Sequence, residues 1–289
     1  MNEFQDRRTM QEIVLNARTV AIVGLSASEL RASHFVGYYL QRHGYRVIPV
    51  NPNEERVLGE QVGGVMGEVH RDHGVRILTE DHVAAFEGTG RVERVVTANG
   101  ERLDCDFVVL GLGVDPATDW LATSGIDLDN GVAVDELCRT NLDGVFAAGD
   151  VANHMHPVLG RRVRVEHWQN GIKHGKAAAL SMLGKGAPYR DVHWFWSDQY
   201  DQNLQYAGFH TDWEQLAVRG SLKGRDFTAF YLKHGVVQAV VALNRGEDVR
   251  AATTLIEGRV PMDADQLADE SRDLGTMAPL PERDRSPAG

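Results

Sequence analysis

The chain has 289 residues, with 30 Lys and Arg against 41 Asp and Glu, a formal net charge of -11 that repels polyphosphate and argues against a nucleic-acid partner. Its hydrophobic fraction of 43% and charged fraction of 25% are those of an ordinary globular protein with a core to bury. The two cysteines, Cys105 and Cys138, form no C-x-x-C pair, and no apolar run reaches the ~20 residues a membrane span needs.

In chain order, a polar helical start (residues 2–17) precedes the apolar strand Thr19-Val-Ala-Ile-Val23, which ends on Gly24-Leu25-Ser26. Ser33 can cap a helix with Phe35, Val36, Tyr39 and Leu40 on one face, Gly44 stops it, and residues 45–50 read as the next strand. Strand, helix and strand make a βαβ unit. A second helix carries Val62, Val65, Met66 and Val69 at i, i+3, i+4, i+7 and closes at Gly74, with a third strand expected over residues 75–79. Residues 82–106 alternate β-prone runs with turn signals, an antiparallel insertion, before the apolar strand Phe107–Leu110. A strand over residues 144–148 is expected next, then a long helix from about Trp168 to Leu183. The last part holds β runs at 205–209, 227–233 and 236–243, helices near 248–257 and 263–269, and a tail rich in Pro, Arg, Asp and Gly. The fold class is therefore α/β, with Rossmann-like βαβ units, an antiparallel β insertion and a smaller α+β C-terminal domain.

Four stretches carry chemistry. Gly149 and Asp150 end the strand in Thr140-Asn-Leu-Asp-Gly-Val-Phe-Ala-Ala-Gly-Asp-Val-Ala152, placing a carboxylate at a sheet edge where ligands bind in open α/β folds. Glu166, His167 and Trp168 lie in Arg164-Val-Glu-His-Trp-Gln-Asn170 at the mouth of the long helix. Trp196 lies in Trp194-Phe-Trp-Ser-Asp-Gln-Tyr200, where Phe195 reads as core. Gly111, Gly113 and Pro116 shape the loop Leu110-Gly-Leu-Gly-Val-Asp-Pro116. His154, Met155 and His156 show no third ligand nearby, so no metal is expected. There is no Ser-His-Asp or paired-carboxylate arrangement, and no residue is singled out as catalytic.

On these motifs, residues 57–274 resemble the FAD-dependent NAD(P)H:ferredoxin reductases of the pyridine nucleotide-disulfide oxidoreductase superfamily. The resemblance implies FAD held at Gly149, Asp150, Glu166, His167, Trp168 and Trp196, with Gly111, Gly113 and Pro116 on the nicotinamide side. It also implies NAD(P)H as electron source and a ferredoxin-like acceptor as partner, while the polar N-terminus, without an apolar run of signal-peptide length, leads to the expectation of a cytoplasmic protein. Residues 10–60 resemble instead a CoA-binding protein of the small Rossmann type. That resemblance is carried by Val20-Ala-Ile-Val-Gly-Leu-Ser26, Ser33, Tyr38-Tyr-Leu-Gln41 and Gly44-Tyr-Arg-Val-Ile-Pro-Val-Asn-Pro52. It implies Gly24, Leu25, Ser26, Asn51 and Pro52 facing CoA or a nucleotide. No G-x-G-x-x-G fingerprint is present. Three readings follow: a reductase, a CoA- or nucleotide-binding module with an inactive reductase remnant, or one half of an enzyme whose FAD site a partner subunit completes. The expected domains are residues 1–60, 61–115 (the rest of a nicotinamide-nucleotide domain), 116–188 (part of an FAD-binding domain), 189–275 (the reductase C-terminal domain) and a disordered tail, 276–289.

Overall fold

The structure, a computed structural model, describes residues 17, 19–23, 46–50, 59–78 and 81–277. Two compact units divide the chain, residues 1–113 and 114–289.

In the first unit, β1 (Thr19–Val23) is the middle strand of a parallel three-stranded sheet. It pairs with β2 (Arg46–Val50) on one side. Helix α1 (Gly59–Asp72) follows β2 and buries Val62, Val65, Met66 and Val69, the i, i+3, i+4, i+7 stripe read from sequence. Of the strand expected over residues 75–79, Leu78 makes a single bridge and residue 79 lies outside the described residues. The Val75 amide is spent closing α1, donating to the His70 carbonyl, and residues 75–77 have no regular structure. The antiparallel meander β3 (Val83–Glu87), β4 (Arg94–Thr97) and β5 (Arg102–Asp104) intervenes, around Val95, Leu103 and Cys105. Strand β6 (Phe107–Leu110) then returns to pair with the free side of β1.

The second unit opens with a small sheet. Strand β7 (Val132–Val134) runs parallel to β8 (Ala152–His156), which pairs antiparallel with β9 (Arg161–Arg164). The strand expected at 144–148 is only an isolated bridge between Phe146 and Arg139. Its amides are already engaged, Val145 donating to the Leu142 carbonyl and Ala147 to that of Cys138. Helix α2 (Trp168–Met182) follows.

The remainder is an antiparallel five-stranded sheet, β10 (Trp194–Gln199), β11 (Gln202–Gly208), β12 (Gln215–Ser221), β13 (Asp226–Lys233) and β14 (Val236–Leu243), in the order β10-β11-β14-β13-β12. The central strands are buried on both faces; Phe227, Phe230, Tyr231 and Leu243 are sealed from solvent. Helix α3 (Gly246–Gly258) covers one face with Val249, Ala252, Leu255 and Ile256. The short α4 (Ala264–Ala268) packs against β12 through Leu267. No described helix is long and apolar enough to cross a membrane. Both cysteines are buried free thiols.

Candidate functional site

The chain reaches β8 through one turn of 3-10 helix, Gly149–Val151, entered from extended backbone at Ala148. Gly149 has φ +77, a left-handed conformation that costs a side-chain-bearing residue free energy. Its amide donates to His174 Nδ1 at 3.3 Å, tying the turn to the middle of α2, and the next side chain, Asp150, is left exposed.

Arg164 at the end of β9 holds this turn from the other side. Its guanidinium donates to the Asp150 carbonyl at 3.2 Å, to Asn130 Oδ1 at 3.3 Å and to Glu166 Oε1 at 2.6 Å. Arg164 and Glu166 are two residues apart in extended chain, so both face the same way while Val165 is buried between them. Gly131, with φ +119, lies against the same turn: a Cβ there would run into the Val151 carbonyl. Gly131→Ala should therefore cost about 1–3 kcal/mol through strain and a displaced carbonyl. An unchanged urea midpoint would mean that the turn yields freely.

His167 is the N-cap residue of α2, in extended conformation and without a side-chain cap. The helix mouth therefore presents free amide groups, a partial positive charge. The His167 ring meets Phe195 edge-on at 4.6 Å and lies 6.4 Å from Trp196, which stacks on Trp194 at 4.9 Å. Burial lowers the pKa of His167, and the nearby Asp150 charge opposes that shift. Trp168 is 75% exposed and Trp196 38%, whereas Phe195 is buried. The structure thus gathers Gly149, Asp150, Glu166, His167, Trp168 and Trp196 around one helix start. An exposed carboxylate there can accept from ligand hydroxyls, the helix mouth can face negative charge, and the indoles offer apolar contact. These features fit the sugar-alcohol arm and ring of a flavin.

Gly111 and Gly113 follow β6, and the loop they form with Pro116 crosses the boundary between the two units. Gly24, Leu25, Ser26, Asn51 and Pro52 lie outside the described residues.

Arg164 and His174 were not singled out from sequence; the available signal was the Arg164-Val-Glu166 alternation. A further cluster lies inside this unit. His154 and His156 point inward from alternate positions of β8, with His174 from α2 and His193 just before β10. All four are buried. The His154 ring lies 5.3 Å from His156, 4.8 Å from His174 and 5.8 Å from His193, and Tyr189 stacks on His174 at 4.7 Å. The expectation that His154 and His156 lack a third nitrogen neighbour is corrected: folding brings His193 in, 37 positions beyond His156 in the chain. Nε2 of His154, His174 and His193 is buried with no hydrogen-bond partner, an arrangement that costs about 1–3 kcal/mol per group. Desolvation, with the neighbouring histidines adding to it, lowers His154 to about 3 and His174 to about 4, and His193 moves the same way.

The model of the pyridine nucleotide-disulphide oxidoreductase family matches residues 5–175, more than half of the chain. The chain belongs to the pyridine nucleotide-disulphide oxidoreductase family. A reductase C-terminal model matches residues 194–278, the five-stranded sheet and its helices. The ferredoxin–NAD(+) reductase component of the anthranilate 1,2-dioxygenase system of Burkholderia cepacia is 34% identical over 94% of this chain and 67% of its own length. Putidaredoxin reductase of Pseudomonas putida is 33% identical over 75% of this chain. The chain spans only 52% of that family member and 54% of the demethylase ferredoxin reductase subunit of a Sphingobium strain. Among solved structures of the family, the ferredoxin reductase for the CYP199A2 system of Rhodopseudomonas palustris superposes with TM-score 0.85 at 27% identity, covering 94% of this chain and 67% of that one. The covalent putidaredoxin reductase–putidaredoxin complex gives TM-score 0.84 at 28% identity, over 96% of this chain and 67% of that one. The family model runs through most of the stretch expected to bind CoA, and the comparisons give the CoA expectation no support.

Proposed function

We propose that this chain works as an FAD-dependent oxidoreductase that takes electrons from NAD(P)H and delivers them to a ferredoxin-like protein. The observation that carries the reading is the exposed Asp150 carboxylate set beside the uncapped start of α2, with Trp168 open to solvent at its mouth. The flavin supplies the conversion of a two-electron hydride into single-electron export. Asp150 would accept hydrogen bonds from the ribityl hydroxyls, and Arg164 keeps that residue's backbone in place. The uncapped amides opening α2 would favour the negative charge a flavin gains on reduction, and Trp168 and Trp196 would give it apolar contact. By the resemblance, the loop of Gly111, Gly113 and Pro116 would lie on the nicotinamide side. Two free, buried thiols suit a cytoplasmic setting.

The relatives are longer than this chain, and no G-x-G-x-x-G is present to cradle a pyrophosphate. The flavin's adenosine half then depends on residues outside those described or on a partner subunit. Purified chain titrated with FAD should develop shifted flavin bands that bleach on adding NADH. Asp150→Ala should weaken FAD binding at least tenfold, the loss of about one charge-assisted hydrogen bond. A chain that leaves FAD free in solution, with the Asp150 variant indistinguishable from the parent, removes the proposal.

A further inference from the structure

We propose that His174 is a positioning residue for the Asp150 carboxylate, acting on it through the Gly149 amide. The proposal rests on the reading of Asp150 as the group that meets flavin hydroxyls.

No described residue donates a hydrogen bond to the Asp150 carboxylate, so its place is set by the backbone that carries it. That backbone is gripped at two points. Arg164 donates to the Asp150 carbonyl at 3.2 Å, and the Gly149 amide donates to His174 Nδ1 at 3.3 Å. The grips fall on either side of the Asp150 Cα, one from the end of β9 and one from the middle of α2. The turn lies against the helix itself: a Cβ on Gly149 would stand 3.8 Å from the Gly171 Cα, one turn before His174.

Three observations set His174 apart from ordinary core packing. First, its ring is wholly buried, yet Nδ1 is spent on a loop amide 25 positions away in the chain. Second, an accepting Nδ1 puts the proton on Nε2, which is buried without a hydrogen-bond partner among the described residues. That is a destabilising arrangement that an apolar side chain would avoid. Burial also lowers His174 to about 4, so Nδ1 keeps its lone pair at neutral pH.

Third, the ring is itself held in place. Tyr189 stacks on it at 4.7 Å with an interplanar angle of 19°, and the Tyr189 hydroxyl donates to Asn170 Oδ1 at 3.1 Å. Asn170 donates in turn to the Val165 carbonyl at 3.2 Å, beside Arg164. The contacts close a circuit from Gly149 through His174, Tyr189, Asn170, Val165 and Arg164 back to Asp150. A carboxylate with no side-chain partner of its own is thereby presented to a ligand in one place.

Two substitutions separate the hydrogen bond from the packing. His174→Phe keeps a flat ring against Tyr189 and removes the acceptor. His174→Asn removes the ring and leaves an amide oxygen near the place of Nδ1. Full chain with isotope-labelled glycine is followed by NMR for hydrogen exchange at the Gly149 amide, and the same samples are titrated with FAD. Relative to the parent, His174→Phe should speed that exchange and weaken FAD binding, each about tenfold, while His174→Asn stays within about threefold. Equal exchange in the parent and the phenylalanine variant overturns the proposal. So does an asparagine variant as impaired as the phenylalanine one, the mark of packing alone. Faster exchange with unchanged FAD affinity overturns the positioning role. A parent that takes up no FAD removes the flavin reading instead, and exchange alone then decides the tether. Should the variants fail to fold, spectra of the parent with isotope-labelled histidine decide. A bare Nδ1 and a protonated Nε2 on His174 support the tether, and the opposite tautomer sinks it.

Discussion

Lowering the pH from about 7.5 to about 5 should cost the folded chain about 4 kcal/mol. The source is the buried histidine cluster. Folding lowers His154 from its ordinary 6.5 to about 3 and His174 to about 4, chiefly through lost hydration. An unfolded chain takes up protons at these sites as the pH falls through 6.5, while the folded chain stays neutral until about 4 and then 3. The unfolded state therefore binds more protons throughout that window, and stability drops as the solution is acidified. Two such groups give a slope of about 2.7 kcal/mol per pH unit, against typical total stabilities of about 5–15 kcal/mol. Arg162 beside His154 and Arg190 beside His156 act in the same direction, while Asp191 opposes them on His156. Urea unfolding across this range reads the slope directly. Replacing His174 by Gln should remove about one proton's share, and a flat profile in the parent would show that water reaches these rings.

Arg219→Leu should be comparably damaging, at about 3–5 kcal/mol. This guanidinium lies almost wholly inside the second unit. It donates to the carbonyls of Asp269 at 2.6 Å and Arg272 at 2.7 Å, reaches those of Leu267 and Glu270 at 3.5 Å, and pairs with Asp248 at 3.7 Å. One side chain on β12 thus terminates α4 and fastens the stretch behind it. Asp248 itself keeps Thr228 and Arg245 as donors, so the loss falls mainly on the four carbonyls. Arg219→Lys should recover only part of the loss, since an ammonium cannot fork across several acceptors. The readout is the urea midpoint together with protease cleavage within residues 264–277. A lysine variant as stable and as resistant as the parent would contradict this account.

Arg219 also explains why β12 was hard to read. A strand announces itself by alternation, and an inward arginine between Ala217 and Ser221 interrupts it. The same holds for β10, whose inward residues after Phe195 are Ser197 and Gln199, hydrogen-bonded to each other at 2.8 Å. By contrast, β13 and β14 were plain, being long aromatic and β-branched runs joined at His234-Gly235, both with positive φ. The stretch at 144–148 erred the other way: apolar enough for a strand, it spends its amides on loop carbonyls. Of the candidate site, Gly149, Asp150 and the residues from Glu166 to Trp168 were visible as motifs at a strand end and a helix start. Arg164 was not, because its importance lies in three acceptors far apart in sequence. The histidine cluster was half visible, since His154 and His156 share a strand but His174 and His193 come from elsewhere.

Strand β10 has one more implication. Phe195, Ser197 and Gln199 face the interior while Trp196 and Asp198 face out, and each is paired in a fixed register with β11. A slip of one position would drive an indole and a carboxylate into the core, so the inward trio locks the outward pair in place. Trp196 is thus held by its strand and by stacking on Trp194, not by a place in the core. Its position could be rewritten by drift or by design to favour a different bound ring, while the scaffold that presents it stays as it is.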